Sequence, residues 1–168
     1  MSGGTEFDMD QERQRMMTSL DRQRGHVLSI LDGLSEPQLR QAVLPSGWTC
    51  LGMVKHLISV ERYWFRRIVR GELPEDSLPN ERSAWQVEPL ESSNEVFDSY
   101  RAEIAAANQI IATTPLDSPP LRRDEWWGSW EVPDLRFIVL HVVAETACHA
   151  GHLDVVRELL DGRQWLVQ

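Results

Sequence analysis

Apolar residues recur at three- and four-residue steps along most of the chain, with charged residues filling the positions between them. That is the pattern of amphipathic helices packed on one face. Between about Met9 and Gly33 the repeat is Met16, Leu20, Val27, Ile30, Leu31 and Leu34, with Arg13, Arg15, Asp21, Arg22 and Arg24 on the opposite face. Ser35-Glu36-Pro37 supplies an N-cap and a first-turn proline, which predicts a short helical turn ending near Gln41, and Leu44-Pro45-Ser46-Gly47 breaks the chain. Thr49 is placed to cap a second long helix with Leu51, Val54, Leu57, Ile58, Glu61, Trp64, Phe65 and Ile68 on its inner stripe and Gly71 as its stop.

The stretch from Glu72 to Glu91, with Pro74, Pro79 and Pro89 among acidic residues, predicts a long loop. Ser93 then caps a third helix that turns Val96, Tyr100, Ile104, Ala107 and Ile111 inward, leaves Glu95 and Glu103 exposed, and ends at Thr113-Thr114-Pro115. A Trp-rich loop leads to Pro133. From Asp134 a fourth helix carries Phe137, Ile138, Leu140, Val142, Val143, Leu153, Val155, Val156, Leu159 and Leu160 as far as Asp161-Gly162. No strand alternation competes with this reading, so the expectation is an all-α four-helix bundle. At 168 residues it is read as one domain, residues 1–168, with residues 1–8 flexible.

Charge narrows the function. With 26 acidic against 17 basic residues and a formal net charge of -9, the chain has no electrostatic footprint for nucleic acid. No run approaches the ~20 apolar residues of a membrane span and the N-terminus is polar, so a cytoplasmic protein with no membrane partner is expected. Cys50 and Cys148 sit inside helical patterns and read as reduced core thiols rather than as a bridge or a zinc knuckle.

The fourth helix contains His141, Glu145, His149 and His152. At ~100° per residue the 141, 145, 149 spacing drifts only ~40° per step, so these three share one face close to the apolar stripe. There a carboxylate needs a partner or a cation to offset its desolvation. His56, just off the stripe of the second helix, is placed to point across the bundle toward Glu145 and His149. Two imidazoles and a carboxylate form the ligand set of an open catalytic zinc site. The plainer alternative is a Glu-His surface pair one turn apart and a lone histidine satisfied by a backbone carbonyl. His141 is open between a donor behind the ligands and a core histidine. His152 lies near the site without ligating, and Glu61 is either a ligand orienter or a rim charge.

Trp126, Trp127 and Trp130, beside Arg122 and Arg123, form a candidate substrate rim in which either arginine grips a carboxylate. The blander account has the tryptophans covering the open end of the bundle or a dimer contact. Arg157 either reaches into the pocket or pairs on the surface near Glu158.

Two motifs carry a family resemblance. Trp48-Thr49 leads to His56-Leu57 and on to Val60-Glu61-Arg62-Tyr63-Trp64-Phe65, and Glu145-Thr146-Ala147-Cys148-His149-Ala150-Gly151-His152 is followed by Arg157-Glu158-Leu159-Leu160-Asp161-Gly162. From the first helix to Gly162 the chain resembles the DinB superfamily, which includes thiol-dependent S-transferases and mycothiol-dependent maleylpyruvate isomerase. The resemblance implies an up-down-down-up four-helix bundle, a homodimer, and a divalent metal held by His56, Glu145 and His149. Many relatives have His where this chain has Glu145, and the mycothiol-linked branch is similar in using Glu. The implied activity uses a low-molecular-weight thiol such as mycothiol on a small electrophile, with zinc as the first expectation and nickel, iron or manganese compatible with the same donors. The isomerase carries an additional C-terminal domain, whereas this chain ends shortly after Gly162, so that isomerisation is not expected. The alternatives are metal-dependent hydrolysis without a thiol and a non-catalytic metal-binding stress-response or interaction module.

Overall fold

The computed structural model describes residues 3–72 and 82–165, with side chains from residue 9 onward. Met1 and Ser2 of the expected flexible start, and Pro74 and Pro79 of the expected loop, lie outside the described residues. Helix α1 spans Gly3–Leu31, a short α2 Glu36–Leu39, α3 Cys50–Glu61, α4 Ser93–Thr113 and α5 Leu135–Asp161. No strand occurs among the described residues, and the protein is an all-α, DinB-like bundle.

The helix boundaries follow local chemistry. The Thr49 hydroxyl accepts from the Gly52 amide at 3.0 Å, and the Asp134 carboxylate accepts from the Phe137 amide at 2.9 Å. Gly71 and Gly162 end their helices with φ of +71° and +78°, a conformation that costs glycine little. The third long helix is capped one residue earlier than expected, by Ser92, because Glu95 sits where its carboxylate can reach back to the Ser92 amide at 2.7 Å and close a capping box. α1 starts at Gly3, well before the expected Met9.

Past Glu61 the second long helix continues as a π-helix over Arg62–Val69. The wider turn buries the consecutive Tyr63, Trp64 and Phe65 together with Ile68 and Val69, more of its circumference than an α-helical stripe covers.

Paired side chains fix the topology. α1 runs parallel to α5, since Glu12 pairs with Arg136 and Ile30 receives Arg157. It runs antiparallel to α4, since Arg13 reaches Thr114 while Asp21 reaches Asn108. α3 and its π extension run parallel to α4, with Lys55 on Glu91, Arg62 on Glu103 and Arg70 on Thr113. They run antiparallel to α5, with His56 beside Glu145 and Trp64 beside His141. The order is therefore up-down-down-up. Parallel neighbours in sequence need a crossover along the bundle, and the α3–α4 connection provides it, returning in a 3₁₀ turn at Arg82–Trp85 packed on α3.

The core has two apolar halves. One gathers Met16, Leu20, Val60, Trp64, Ala107 and Val142 among others; the second gathers Val27, Leu57, Tyr100, Ala150 and Leu153 among others. Between them each long helix contributes a charged side chain: Arg24, Glu61, Glu103 and Glu145. Arg24, expected on the exposed face, is 1% exposed, and Glu103, expected in solvent, is 6% exposed. Both are held by ion pairs. Arg24 donates to both Glu61 oxygens at 2.6 Å and to Asn108 at 2.7 Å, and Glu103 takes Arg62 and Arg66 at 2.9 Å each. Conversely Leu140, Val155 and Leu159, among the apolar residues of the expected fourth helix, are more than half exposed along the outer face of α5. Cys148 is exposed as well, whereas Cys50 is a buried free thiol pushed up to about 11 by burial.

Candidate metal centre

The charged belt opens at α5. Glu145 and His149, one helical turn apart, face α3, and the antiparallel packing of those helices brings His56 opposite them. His149 Nε2 lies 3.1 Å and His56 Nε2 3.3 Å from the same Glu145 Oε1. The imidazoles meet edge to face with centroids 4.9 Å apart. The hydrogen bonds from His149 and from His56 hold the Glu145 carboxyl well below the usual carboxylate range despite its partial burial.

Each residue presents one ligand atom, and the three atoms lie within 4.8 Å of one another. In a tetrahedral site with bonds of about 2.1 Å, neighbouring ligand atoms sit roughly 3.4 Å apart, close to the two separations found here. The donor set, two imidazole nitrogens and a carboxylate with no fourth ligand in the cluster among the described residues, fits a divalent ion with an open position. His149 has its other nitrogen, Nδ1, 3.4 Å from Nδ1 of the exposed His152, so its Nε2 is the one turned to Glu145.

Trp85 was not anticipated. It lies flat against His56, ring centroids 4.0 Å apart and planes 13° apart, and stands edge-on to His149 at 6.0 Å. Gly52 makes this approach possible, because a Cβ there would meet the Trp85 carbonyl oxygen at 2.7 Å. A glycine three residues after a helix cap was the available signal, but without the crossover's path nothing connected it to a tryptophan 33 residues on.

A cleft of ≈ 220 Å³ leads to the cluster, lined by His56, Val60, Tyr63, Trp64, Trp126, Trp130, His141 and Glu145. Trp126 and Trp130 therefore stand where the substrate rim was expected. Trp127 does not: it is buried, stacks on Trp64 and donates from Nε1 to the Tyr63 hydroxyl at 2.8 Å. Arg122 and Arg123 are absent from the cleft lining. The Arg122 side chain lies 3.5 Å from Asp124, and Arg123 donates to the Gly128 carbonyl and sits over the Trp127 ring. His141 forms part of the wall against Trp64 and Trp130, and burial pushes its pKa below the usual imidazole range, partly offset by the nearby Glu145 carboxylate.

Two other expected residues belong elsewhere. Glu61 faces α1 and is fully engaged by Arg24, so it does not orient the cluster. Arg157 neither lines the pocket nor sits on the surface; it is 3% exposed and donates to the Ile30 and Asp32 carbonyls at 2.7 and 2.8 Å, tying the end of α1 to Asp161 on α5.

No curated protein matches the chain. Residues 15–162, which run from α1 to the end of α5 and contain every residue of the cluster, match the mycothiol-S-transferase family. The chain accordingly belongs to that family, within the DinB-like superfamily.

Proposed function

We propose that the protein is a metal-dependent mycothiol S-transferase in which His56, Glu145 and His149 hold one divalent ion, zinc, and the aromatic cleft holds a small electrophile. The observation that carries this reading is the convergence of three ligand atoms at the head of an aromatic cleft in a chain of this family. A divalent ion held by His56, Glu145 and His149 would supply the Lewis acidity that brings a thiol's pKa down toward neutral pH.

The chain's own groups do the rest. Glu145 supplies the negative charge that balances the cation in a half-buried position, and Trp85 and His152 fix the two imidazoles. Tyr63, Trp64, Trp126 and Trp130 exclude water and present flat apolar surface to the electrophile. In the transfer a bond forms between the thiol sulfur and the electrophilic carbon, the bond to the leaving group breaks, and the thiol proton departs. His141, in the cleft wall outside the ligand set, takes up that proton and returns it to the leaving group.

The protein works in the cytoplasm as a homodimer. The apolar outer face of α5 supports the dimer, and the absence of any helix among the described residues long and apolar enough to cross a membrane accords with the location.

The test is metal analysis of protein purified without chelators, together with conjugation of mycothiol to a chromogenic electrophile. Wild type is expected to carry one ion per chain and to consume thiol and electrophile one to one. Glu145→Gln is expected to lose both metal and turnover. Turnover of the electrophile at the same rate without thiol, or full metal content in Glu145→Gln, overturns the proposal.

A further inference from the structure

A second cavity, ≈ 610 Å³, opens in front of α3 and is lined by Ser46, Gly47, Trp48, Thr49, Arg82, Trp85 and Gln86. Trp85 joins it to the centre, since the same indole stacks on His56. Two cavities of different character thus flank one cluster.

We propose that this front cavity binds the polyhydroxylated headgroup of the thiol cosubstrate, leaving the aromatic cleft to the electrophile; the assignment rests on the reading that the centre takes a thiol. Mycothiol joins an acylated cysteine through an amide to a glucosamine–inositol headgroup, a bulky, uncharged polyol. The front cavity lies within the ~300–1,000 Å³ common for ligand pockets, and the ≈ 220 Å³ cleft falls below it. Its chemistry is also suited. Trp48 and Trp85 offer flat faces for the C–H side of a sugar ring, while Arg82, Gln86 and Ser46 supply donors and acceptors for hydroxyls. No carboxylate lines it.

The opposite arrangement is costly. In the aromatic cleft the wall outside the ligand set offers hydroxyls little beyond His141 and Tyr63, and the Tyr63 oxygen already accepts from Trp127. Hydroxyls buried there without partners would lose their hydrogen bonds to water with nothing in exchange. Trp85, which lines the front cavity and stacks on His56, stands between the headgroup in front of α3 and the sulfur at the centre.

Fragments of mycothiol separate the two halves. Isothermal titration of the metal-loaded full chain uses intact mycothiol, N-acetylcysteine, and the glucosamine–inositol headgroup without its cysteine; cobalt-loaded protein reports sulfur ligation through its absorption spectrum. Arg82 and Gln86 are exposed, so an Arg82→Ala/Gln86→Ala double variant retains the fold, checked by circular dichroism. It is expected to bind mycothiol and the headgroup at least about tenfold more weakly while N-acetylcysteine perturbs the cobalt spectrum as in wild type. Trp130→Ala is expected to leave headgroup affinity unchanged. Unchanged mycothiol and headgroup affinity in the double variant, with the cobalt spectrum still responding to thiol, overturns this assignment and leaves the transferase reading standing. A cobalt spectrum indifferent to both mycothiol and N-acetylcysteine overturns both.

Discussion

Trp85 covers the face of His56 at 4.0 Å with only 13° between the rings, and it reaches that position because the crossover passes close over Gly52. The indole restricts the imidazole's rotation as a hydrogen-bonded neighbour does for other metal-binding histidines, where loss of such support typically costs 10–100-fold in metal affinity. Trp85→Ala is expected to weaken zinc binding by about tenfold without unfolding the bundle. Gly52→Ala is expected to do the same from a distance: its Cβ must displace the Trp85 backbone, an overpacking cost of roughly 1–3 kcal/mol. Competition with a chromogenic chelator measures both, and wild-type affinity in both variants would show that the stack has no part in holding the metal.

The Arg24 and Glu61 pair predicts a different phenotype. Both side chains are 2% exposed. Burial pushes the Glu61 carboxyl up, and the Arg24 guanidinium opposes that shift. Arg24→Ala leaves a carboxylate in the core without its cation, a loss of about 3–5 kcal/mol. A protonated Glu61 escapes part of that cost, so the loss should be larger at pH 8 than at pH 5. Urea unfolding at the two values measures it, and metal content per folded chain should stay at the wild-type level because the pair faces α1 and not the cluster.

The helical period made much of this legible. Glu145 and His149 are one turn apart on a single helix, so their shared face needed no tertiary information, and the caps at Thr49 and Asp134 are local hydrogen bonds. What periodicity missed depends on a second element. Arg24 is charged, and its burial depends on Glu61 and Asn108 across the bundle, with Asp21 on its own helix completing the contacts. Trp85 lies in a proline-rich stretch without period, and its position follows from the parallel order of α3 and α4, which demands a returning crossover. Charge makes Arg122 and Arg157 candidate ligand contacts, whereas Asp124 beside the first, and the end of α1 with Asp161 around the second, already occupy them.

Glu145 gives a pH dependence with a definite sign. Its hydrogen bonds from His149 and His56 depress its folded-state pKa below the ordinary 4.5. A depressed carboxyl contributes stability that is fully present above the unfolded value and is lost as pH falls through the folded one. In metal-free protein, therefore, wild type is expected to lose stability below about pH 4.5 more steeply than Glu145→Gln, whose amide does not titrate. Urea midpoints from pH 6 to pH 3 measure this, and parallel profiles for the two proteins would contradict the hydrogen-bonded carboxylate.

The outer face of α5 carries the last prediction. Leu140, Val155 and Leu159 are 55%, 56% and 58% exposed, and the exposed Ala144, Cys148 and His152 continue the line between them at three- and four-residue steps. The opposite face of α5 is spent on α1 and α3, so this ridge is free to meet a second copy. A two-fold pairing of α5 with its counterpart in antiparallel sense places Cys148, near the middle of the ridge, close to the axis. Val155→Glu combined with Leu159→Glu puts like charges into that contact and is expected to convert a dimer to monomers in sedimentation equilibrium at micromolar concentration. Oxidation of wild type is expected to give a covalent dimer that Cys148→Ser abolishes. Since His56, Glu145 and His149 all belong to one chain, the monomeric variant should keep its full metal content. Wild type that sediments as a monomer throughout the same concentration range would refute the pairing.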